Sequence, residues 1–243
     1  MMALLLLLST CEQGADLFRQ GQWEPARQHL EAAVQNKPDA FCWKSLGVVY
    51  AALGDTRRAE PPFAKACRMN PKEPDACYFW ARSLYALDRF ADSLTALDRD
   101  PTPPSARSLT ARGQALDALG RPDAEAAFRQ ALKFSDTPAE PDPRLGLAAF
   151  LTRQGRIPEA LSLLRSAPPA YQQLAAYHYQ LGRALAQQEQ WAAAAEALRN
   201  AVSLKPAYPE AHGLLSRVYY RLGDTTQGAR HSTLALQGST ISR

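Results

Sequence analysis

Apolar residues recur every three or four positions along most of the chain, in segments of helical length. Trp43, Leu46, Gly47 and Tyr50, for example, fall on one face of a helix. Glycine- and proline-bearing stretches such as "ALGDTRRA", "RQGRIPEA" and "RLGDTTQG" separate these segments. No stretch alternates between apolar and polar residues over several positions, so the pattern predicts helices joined by tight turns and no strands.

A small residue after each turn shows that the chain repeats with a period of about 34 residues. These positions are Ala26, Ala59, Ser93, Ala124, Ala160, Ala194 and Gly228, at intervals of 33, 34, 31, 36, 34 and 34 residues. A second small residue recurs in the helix before each turn, at Gly14, Gly47, Ala81, Gly113, Ala148, Gly182 and Ser216. Small side chains let two antiparallel helices cross closely, while Trp43, Tyr50 and Phe63 fill the space beside the crossing. Such a period predicts a stack of helix hairpins that complete one another's core.

The second repeat follows the pattern best, and its residues resemble those of a known family. The set Trp43-x2-Leu46-Gly47-x2-Tyr50, followed by Ala59, Phe63, Ala66 and Pro71, resembles the tetratricopeptide repeat, and residues 181 to 206 carry a similar set. The resemblance covers nearly the whole chain. It implies an all-α fold, a right-handed α-α superhelix (solenoid) of about seven helix hairpins. The predicted solenoid occupies residues 14–243, with repeats at 7–39, 40–73, 74–104, 105–138, 141–172, 175–208 and 209–243.

Three departures from the pattern predict local irregularity. In repeat two Pro61 can lie in the opening turn of the second helix, but Pro62 lies beyond that turn, so we expect Pro62 to distort or delay the helix. In repeat three, Asp100 replaces the expected alanine, which predicts a short second helix. The proline-rich stretch 135–143 is either a flexible link between the two halves or a simple loop between repeats four and five, and we expect the loop.

Residues 1–13 form an apolar N-terminal segment that allows two interpretations. The run from Ala3 to Leu8 resembles the hydrophobic part of a secretory signal, which in a lipoprotein would end at Cys11. The absence of Lys or Arg before a run this short favours the start of the first helix instead. The run is too short to span a membrane. Cytoplasmic and exported (periplasmic or secreted) locations therefore both stay open.

Composition and motifs narrow the function classes. A net charge of +4, from 28 basic and 24 acidic residues, is too weak to favour nucleic acid. The four cysteines form no Cys-x-x-Cys pair, and their oxidation state cannot be read from the sequence. No phosphate-cradling, nucleophile or zinc-protease motif occurs, so we expect a non-enzymatic chain with no cofactor and no metal. His178 and His212 occupy equivalent positions one repeat apart, roughly 10 Å, too far to share a metal, which indicates core or half-buried histidines.

A stripe beside the core face supplies the candidate binding residues. In the tetratricopeptide family this stripe of each first helix lines the concave surface. It contains Phe41, Lys44, Tyr78, Arg82, Tyr85, Arg107, Gln114, Tyr179, Arg183, Arg217 and Tyr220. Aromatic residues and arginine are enriched in binding hot spots, and arginine pairs bidentately with carboxylates. The alternative is that the tyrosines are half-buried between helices and the arginines maintain solubility.

The stripe predicts a non-enzymatic protein-protein interaction scaffold that binds a peptide or partner segment in the concave groove. The partner would be acidic or end in a free carboxylate, with no nucleic acid involved. Val48 stands where the family's chaperone-tail clamp has asparagine, so we do not expect chaperone-tail binding. A second hypothesis is an exported or lipid-anchored structural subunit of an envelope or secretion assembly, which the apolar N-terminal run suggests.

Overall fold

The computed structural model describes the backbone of residues 2–36, 39–134 and 142–241 and the side chains of residues 11–36, 39–134 and 142–238. These residues form fourteen α-helices, one 3-10 helix and no β-strand. The predicted all-α class is confirmed. Among the described residues, no helix combines the length and the apolar character needed to cross a bilayer.

The chain divides into two compact units between Ala124 and Glu125. The N-terminal unit contains α1 (Met2–Arg19), α2 (Trp23–Asn36), α3 (Ala40–Ala52), α4 (Thr56–Met69), α5 (Ala76–Ala86), α6 (Phe90–Asp98) and α7 (Ala106–Ala118). The C-terminal unit contains α8 (Ala124–Leu132, whose first residue marks the boundary), α9 (Pro143–Arg153), α10 (Ile157–Arg165), a 3-10 helix (Pro169–Gln173), α11 (Ala175–Gln187), α12 (Trp191–Leu204), α13 (Pro209–Arg221) and α14 (Thr225–Ile241).

Glycine and aspartate build the turns inside the hairpins. Gly54 and Gly223 have φ values of 80° and 83°, a left-handed conformation that ends the preceding helix at little steric cost. The next residue but one starts the second helix. Its cap is the side chain of Asp55, which accepts from the Arg58 N–H at 2.9 Å, or of Asp224, which accepts from the Gln227 N–H at 2.9 Å.

Glycine also marks where the two helices of a hairpin touch. A Cβ added to Gly47 would lie 2.6 Å from the Phe63 ring, and one added to Gly182 would lie 2.6 Å from Leu198 Cγ. Neither site has room for a methyl group. Tyr50 and Phe63 are buried and Trp43 is half-buried, so these glycines are contact points between helices, with Tyr50 and Phe63 in the core beside them.

The expectation that Pro62 distorts or delays its helix is wrong. Helix α4 runs without interruption from Thr56 to Met69, with both prolines inside it. A proline has no N–H, so the helix loses the bonds that these two residues would donate to the carbonyls one turn earlier. Burial of Pro62 and of Phe63 against the core offsets that loss.

Two disulfides cross-link the N-terminal unit. Cys11 of α1 is bonded to Cys42 of α3, with Cα atoms 5.4 Å apart. Cys67 of α4 is bonded to Cys77 of α5, with Cα atoms 4.8 Å apart. The C-terminal unit contains no cysteine. The structure thus assigns the oxidation state that the sequence leaves open.

A buried polar cluster anchors the start of the C-terminal unit's regular stack. The Asp142 carboxylate accepts from the Leu145 N–H at 2.9 Å and from the Tyr171 hydroxyl at 2.8 Å. Burial, followed by the neighbouring carboxylate, raises the pKa of Tyr171 to about 12. The phenol therefore stays protonated and ties the 3-10 helix Pro169–Gln173 to the first turn of α9.

The two histidines at equivalent repeat positions make the same contact. His178 Nε2 lies 3.0 Å from the Gln172 carbonyl, and His212 Nε2 lies 2.9 Å from the Pro206 carbonyl. His178 is half-buried and His212 is buried, as predicted. His212 has a further partner, because its Nδ1 lies 2.8 Å from Nδ1 of His231 on α14.

Candidate functional site

Helices α11 and α13, the first helices of two consecutive hairpins, form the walls of a cavity in the C-terminal unit. The close contact of Gly182 with Leu198 fixes one face of α11 against α12. Arg183, one residue on, is therefore rotated by about 100° away from that contact. Arg217 occupies the equivalent position on α13, one residue after the small Ser216.

The cavity has a volume of about 390 Å³. Its lining consists of Tyr179, Arg183, Ala186 and Gln187 from α11, Trp191 at the start of α12, and Leu214, Arg217, Val218 and Arg221 from α13. Three guanidinium groups thus share a space with two aromatic rings and several aliphatic side chains.

Among the described residues, no carboxylate lines this cavity. Within the described parts of the chain, Arg183, Arg217 and Arg221 form no salt bridge. The contact of Arg183 is a bond from Nη2 to the Ala149 carbonyl at 3.4 Å, and the Arg221 guanidinium lies 5.7 Å from the centre of the Trp191 ring. The cavity therefore carries positive charge that the surrounding side chains leave uncompensated.

An aromatic pair extends one wall of the cavity. The rings of Tyr179 and Tyr208 have centroids 5.2 Å apart, and Lys205 Nζ lies 4.8 Å from the Tyr208 centroid. Burial, then the proximity of Tyr179 and Glu210, raises the pKa of Tyr208 to about 12. The Tyr208 phenol therefore stays uncharged near neutral pH. The arrangement suits a ligand that combines a negative group with an apolar one.

Three of the predicted stripe residues, Tyr179, Arg183 and Arg217, come together in this cavity. Tyr220 does not line it, since its ring packs against Gly228 of α14, 2.9 Å from where a Cβ would be. Arg221 and Trp191 line it although the sequence reasoning missed both. For Arg221 a signal was available, because it lies one helical turn after Arg217 and so on the same face.

In the N-terminal unit two of the three predicted cations, Lys44 and Arg107, have partners within the protein. Lys44 Nζ donates to Glu73 Oε1 at 2.6 Å and to the Pro74 carbonyl at 3.2 Å. Arg107 lies 3.5 Å from Asp75 Oδ2.

The predicted aromatic residues of that unit also pack internally. Tyr78 is buried, and the Arg107 guanidinium lies 4.4 Å from its ring centre. The Tyr85 ring lies 5.2 Å from that of Phe90. Phe41 remains 37% exposed, and Arg82 and Gln114 are half-buried.

A larger cleft, of about 780 Å³, lies between α2 and α4 of the N-terminal unit, with Trp43 and Tyr50 in its floor. Two of its polar groups, Tyr50 and Glu31, are already paired with each other. The Tyr50 hydroxyl donates to Glu31, which also accepts from Arg27 at 2.7 Å. Burial raises the pKa of Glu31, but these two hydrogen bonds outweigh it and leave that pKa below its usual value. Although this cleft is larger, the cavity between α11 and α13 is the better candidate for a binding site, because its guanidinium groups form no salt bridge within the described residues.

One cluster among the described residues has metal-ligand spacing, formed by Cys11, Asp39 and Cys42. Its two sulfurs are bonded to each other, so neither is a thiolate that could bind a metal. Asp39 already caps α3, with its carboxylate accepting from the Cys42 N–H at 2.7 Å.

Paired antiparallel helices with small residues at their crossings define an α-helical repeat protein. Family comparison makes this specific, since three profiles match, described as tetratricopeptide repeat or TPR repeat, over residues 11–74, 109–183 and 182–223. The chain belongs to the tetratricopeptide repeat family. Tetratricopeptide repeats build protein-interaction scaffolds, which are generally non-enzymatic. No curated protein matches the sequence.

Solved structures show the same fold at low sequence identity. A tetratricopeptide repeat protein from Parabacteroides merdae superposes with a TM-score of 0.80 at 16% identity, covering 95% of this chain and 92% of that one. A chain of the APC/C hetero-tetramer Cut9-Hcn1 gives 0.76 at 18% identity, covering 93% of this chain. Human IFIT1, in a dimer with PPP-AAAA, gives 0.68 at 20% identity, covering 90%. This chain spans 45% of the Cut9-Hcn1 chain and 58% of IFIT1. The predicted fold class of tetratricopeptide hairpins is thus confirmed.

Proposed function

We propose that the C-terminal unit binds an acidic peptide segment of a partner protein in the cavity between α11 and α13. The observation that carries this proposal is the group of Arg183, Arg217 and Arg221, which share one cavity whose described lining contains no carboxylate. An unpaired guanidinium attracts an oxyanion and can bind a carboxylate through two parallel hydrogen bonds.

The aromatic and aliphatic lining supports a peptide rather than a free anion. Trp191 and Leu214 offer apolar area for a neighbouring side chain, and aromatic residues with arginine are typical of interface hot spots. YrrB, described as a TPR protein with an unusual peptide-binding site, shares the fold with a TM-score of 0.51 at 19% identity. The ligand is either an acidic side chain or a free C-terminal carboxylate, which share the same chemistry.

Charge reversal tests the cavity directly. Fluorescein-labelled octapeptides of alternating Glu and Leu, with a free or an amidated C-terminus, are titrated into the full chain and followed by anisotropy. Replacing Arg217 or Arg221 with glutamate should weaken binding of both peptides by tenfold or more, roughly the loss of one charge-assisted contact. Stronger binding of the free-acid peptide would identify the terminal carboxylate as the anchor.

Arg82→Glu is the matched control, because Arg82 holds the position of Arg217 in the N-terminal unit, one residue after the small Ala81. It should leave peptide binding unchanged. A Lys-Leu octapeptide should not bind. Equal losses for Arg82→Glu and Arg217→Glu, or tighter binding of a 5′-triphosphorylated oligoadenylate than of either acidic peptide, would contradict the proposal.

Affinity capture from the source cell then identifies the partner. Capture with the wild-type chain is compared with capture by the Arg217→Glu variant, and cross-linking maps the bound segment. A partner held through this cavity disappears from the variant sample and has an acidic stretch at the mapped segment.

A further inference from the structure

All four cysteines lie in the N-terminal unit, and the fold places each one beside a single partner. The Cα separations of 5.4 and 4.8 Å fall within the roughly 4.4–6.8 Å that disulfides span. Both bridges join different helices, and no cysteine among the described residues is left free.

The two bridges are not copies of one repeat feature. Counted from the small residue in the same helix, Cys11, Cys42 and Cys77 lie three, five and four positions upstream, and Cys67 lies in a second helix. A cysteine kept only as a small core residue would need no partner. The four cysteines occupy four different positions of the repeat and still form two pairs. This indicates that they are present to form disulfides.

We infer that this protein is exported and acquires both disulfides in an oxidising compartment, from a disulfide-donating oxidoreductase. Reducing systems keep thiols free in the cytosol of most cells, whereas stable structural disulfides form in the periplasm, the secretory pathway or outside the cell. The inference is independent of the proposed peptide binding, because the cavity lies in the unit without cysteines.

Each bridge forms in two thiol–disulfide exchange steps between the chain and the donor. The thiolate of one cysteine attacks a sulfur of the donor's disulfide, which gives a mixed disulfide and one donor thiolate. The thiolate of the partner cysteine then attacks the sulfur of the first, forming the bridge and releasing the second donor thiolate. Two electrons pass from the chain to the donor for each bridge, and the two protons leave the cysteine thiols.

Burial marks the Cys67–Cys77 bridge as structural, since Cys67 has no exposed surface and Cys77 is 1% exposed. An attacking thiolate cannot reach these two sulfurs without opening the helix pair, so small thiols reduce this bridge slowly. In the other bridge Cys42 has no exposed surface and Cys11 is half-buried.

The bridge between Cys11 and Cys42 also distinguishes export as a lipoprotein from export without a lipid anchor on Cys11. The Cys11 sulfur is bonded to Cys42, and a sulfur in a disulfide cannot also carry the thioether lipid of a lipoprotein. The oxidised chain is therefore not anchored through Cys11.

Thiol trapping on the native protein tests the inference. The protein is purified from its source cell after acid quenching, alkylated with N-ethylmaleimide under denaturing conditions, and digested without reduction for mass spectrometry. We expect linked peptides joining Cys11 to Cys42 and Cys67 to Cys77, with no alkylated cysteine. Alkylation of all four cysteines, other pairings, or a lipid mass on Cys11 would overturn the inference.

Production of the same chain in two compartments provides the control. After secretion into an oxidising compartment the chain should carry both bridges, and after production in a reducing cytoplasm it should be fully alkylated. Both bridges forming completely in the reducing cytoplasm would show that no export is needed. A Cys11→Ala/Cys42→Ala variant should keep the Cys67 to Cys77 link after secretion, and scrambling of that link would contradict the assigned pairs.

Discussion

The two units use one packing pattern but treat equivalent polar positions differently. Lys44 lies three residues before Gly47, and Tyr179 lies three residues before Gly182. A proline follows the second helix of each of these two hairpins, Pro71 in the N-terminal unit and Pro206 in the C-terminal unit. Two residues after it lies Glu73 in the first unit and Tyr208 in the second. An ion pair of 2.6 Å thus stands where the other unit has a pair of tyrosine rings 5.2 Å apart.

The difference shows that the linker between hairpins decides what the first helix presents. Acidic residues of one linker, Glu73 and Asp75, neutralise Lys44 and Arg107. The corresponding linker around Tyr208 supplies a ring instead, and Arg217 nearby has no salt bridge within the described residues. Core positions are constrained in both units, whereas the linker position can change without altering the helices.

Reduction of the disulfides should produce the largest difference between the units. Each bridge is expected to contribute about 3 kcal/mol of stability, more for the 31-residue loop than for the 10-residue one. In dithiothreitol, hydrogen exchange of α3 to α5 should therefore accelerate strongly, while that of α11 to α13 stays unchanged. Equal acceleration in both units would mean that they do not open separately.

Adding a methyl group at a helix crossing should cost about 2 kcal/mol in either unit, because the new Cβ overlaps a packed side chain. Gly47→Ala meets the Phe63 ring and Gly182→Ala meets Leu198, each at 2.6 Å. Thermal and urea unfolding measure the loss. Gly213→Ala is the control, since its Cβ would find a neighbour at an ordinary 3.9 Å. That variant should be neutral or gain up to about 1 kcal/mol from helix propensity, and a loss of 2 kcal/mol there would remove the packing explanation.

Exchanging the linker chemistry should change the surface and leave the fold intact. The double variant Tyr179→Lys/Tyr208→Glu places the ion pair of the N-terminal unit into the C-terminal unit. We expect its stability to fall by about 1 kcal/mol, with each single variant less stable than the double. Acidic-peptide binding should weaken, because the aromatic wall is lost and a carboxylate is added. Unchanged binding would exclude the Tyr179 wall from the site.

Mild acid should have the smallest effect, and it should act on the C-terminal unit. Burial, then the neighbouring His212 and Arg230, lowers the pKa of His231. The Tyr219 ring stacks on His231, with centroids 5.6 Å apart. His231 is harder to protonate in the folded state than in the unfolded chain. Once the pH falls below 6.5, the ordinary pKa of histidine, the unfolded chain therefore binds more protons at this residue. Stability is therefore complete above that value and falls as the pH drops through the folded pKa.

Hydrogen exchange of α14 between pH 7.5 and 5, corrected for the intrinsic rate, measures this loss. The N-terminal unit has one histidine, His29, which is exposed, so its exchange should not change over the same range. His231→Gln should abolish the pH dependence of α14. A dependence that persists in this variant, or that vanishes with a chelator in the wild type, would assign the effect to another group.

Local packing made most of the fold predictable from the sequence. Gly47 and Gly182 report helix crossings directly, since no larger residue fits there. The expectation for Pro62 was wrong because it applied a local rule about proline in helices to a residue that is buried in the core. In the stripe, Tyr179, Arg183 and Arg217 were named because they follow the repeat. The partners of Lys44 and Arg107 lie in linkers about 30 residues away along the chain, and no periodic signal identifies them.

The bridge between Cys67 and Cys77 turns one linker into a covalent ring. Glu73 and Asp75 lie inside that ring, and Asp75 holds a left-handed φ of 60° there. The acids that neutralise Lys44 and Arg107 are thus kept in place by a bond between sulfurs. Reducing the bridge releases the linker, and with it the two acids that pair with Lys44 and Arg107. The electrostatic potential of this surface therefore depends on whether the disulfide is formed.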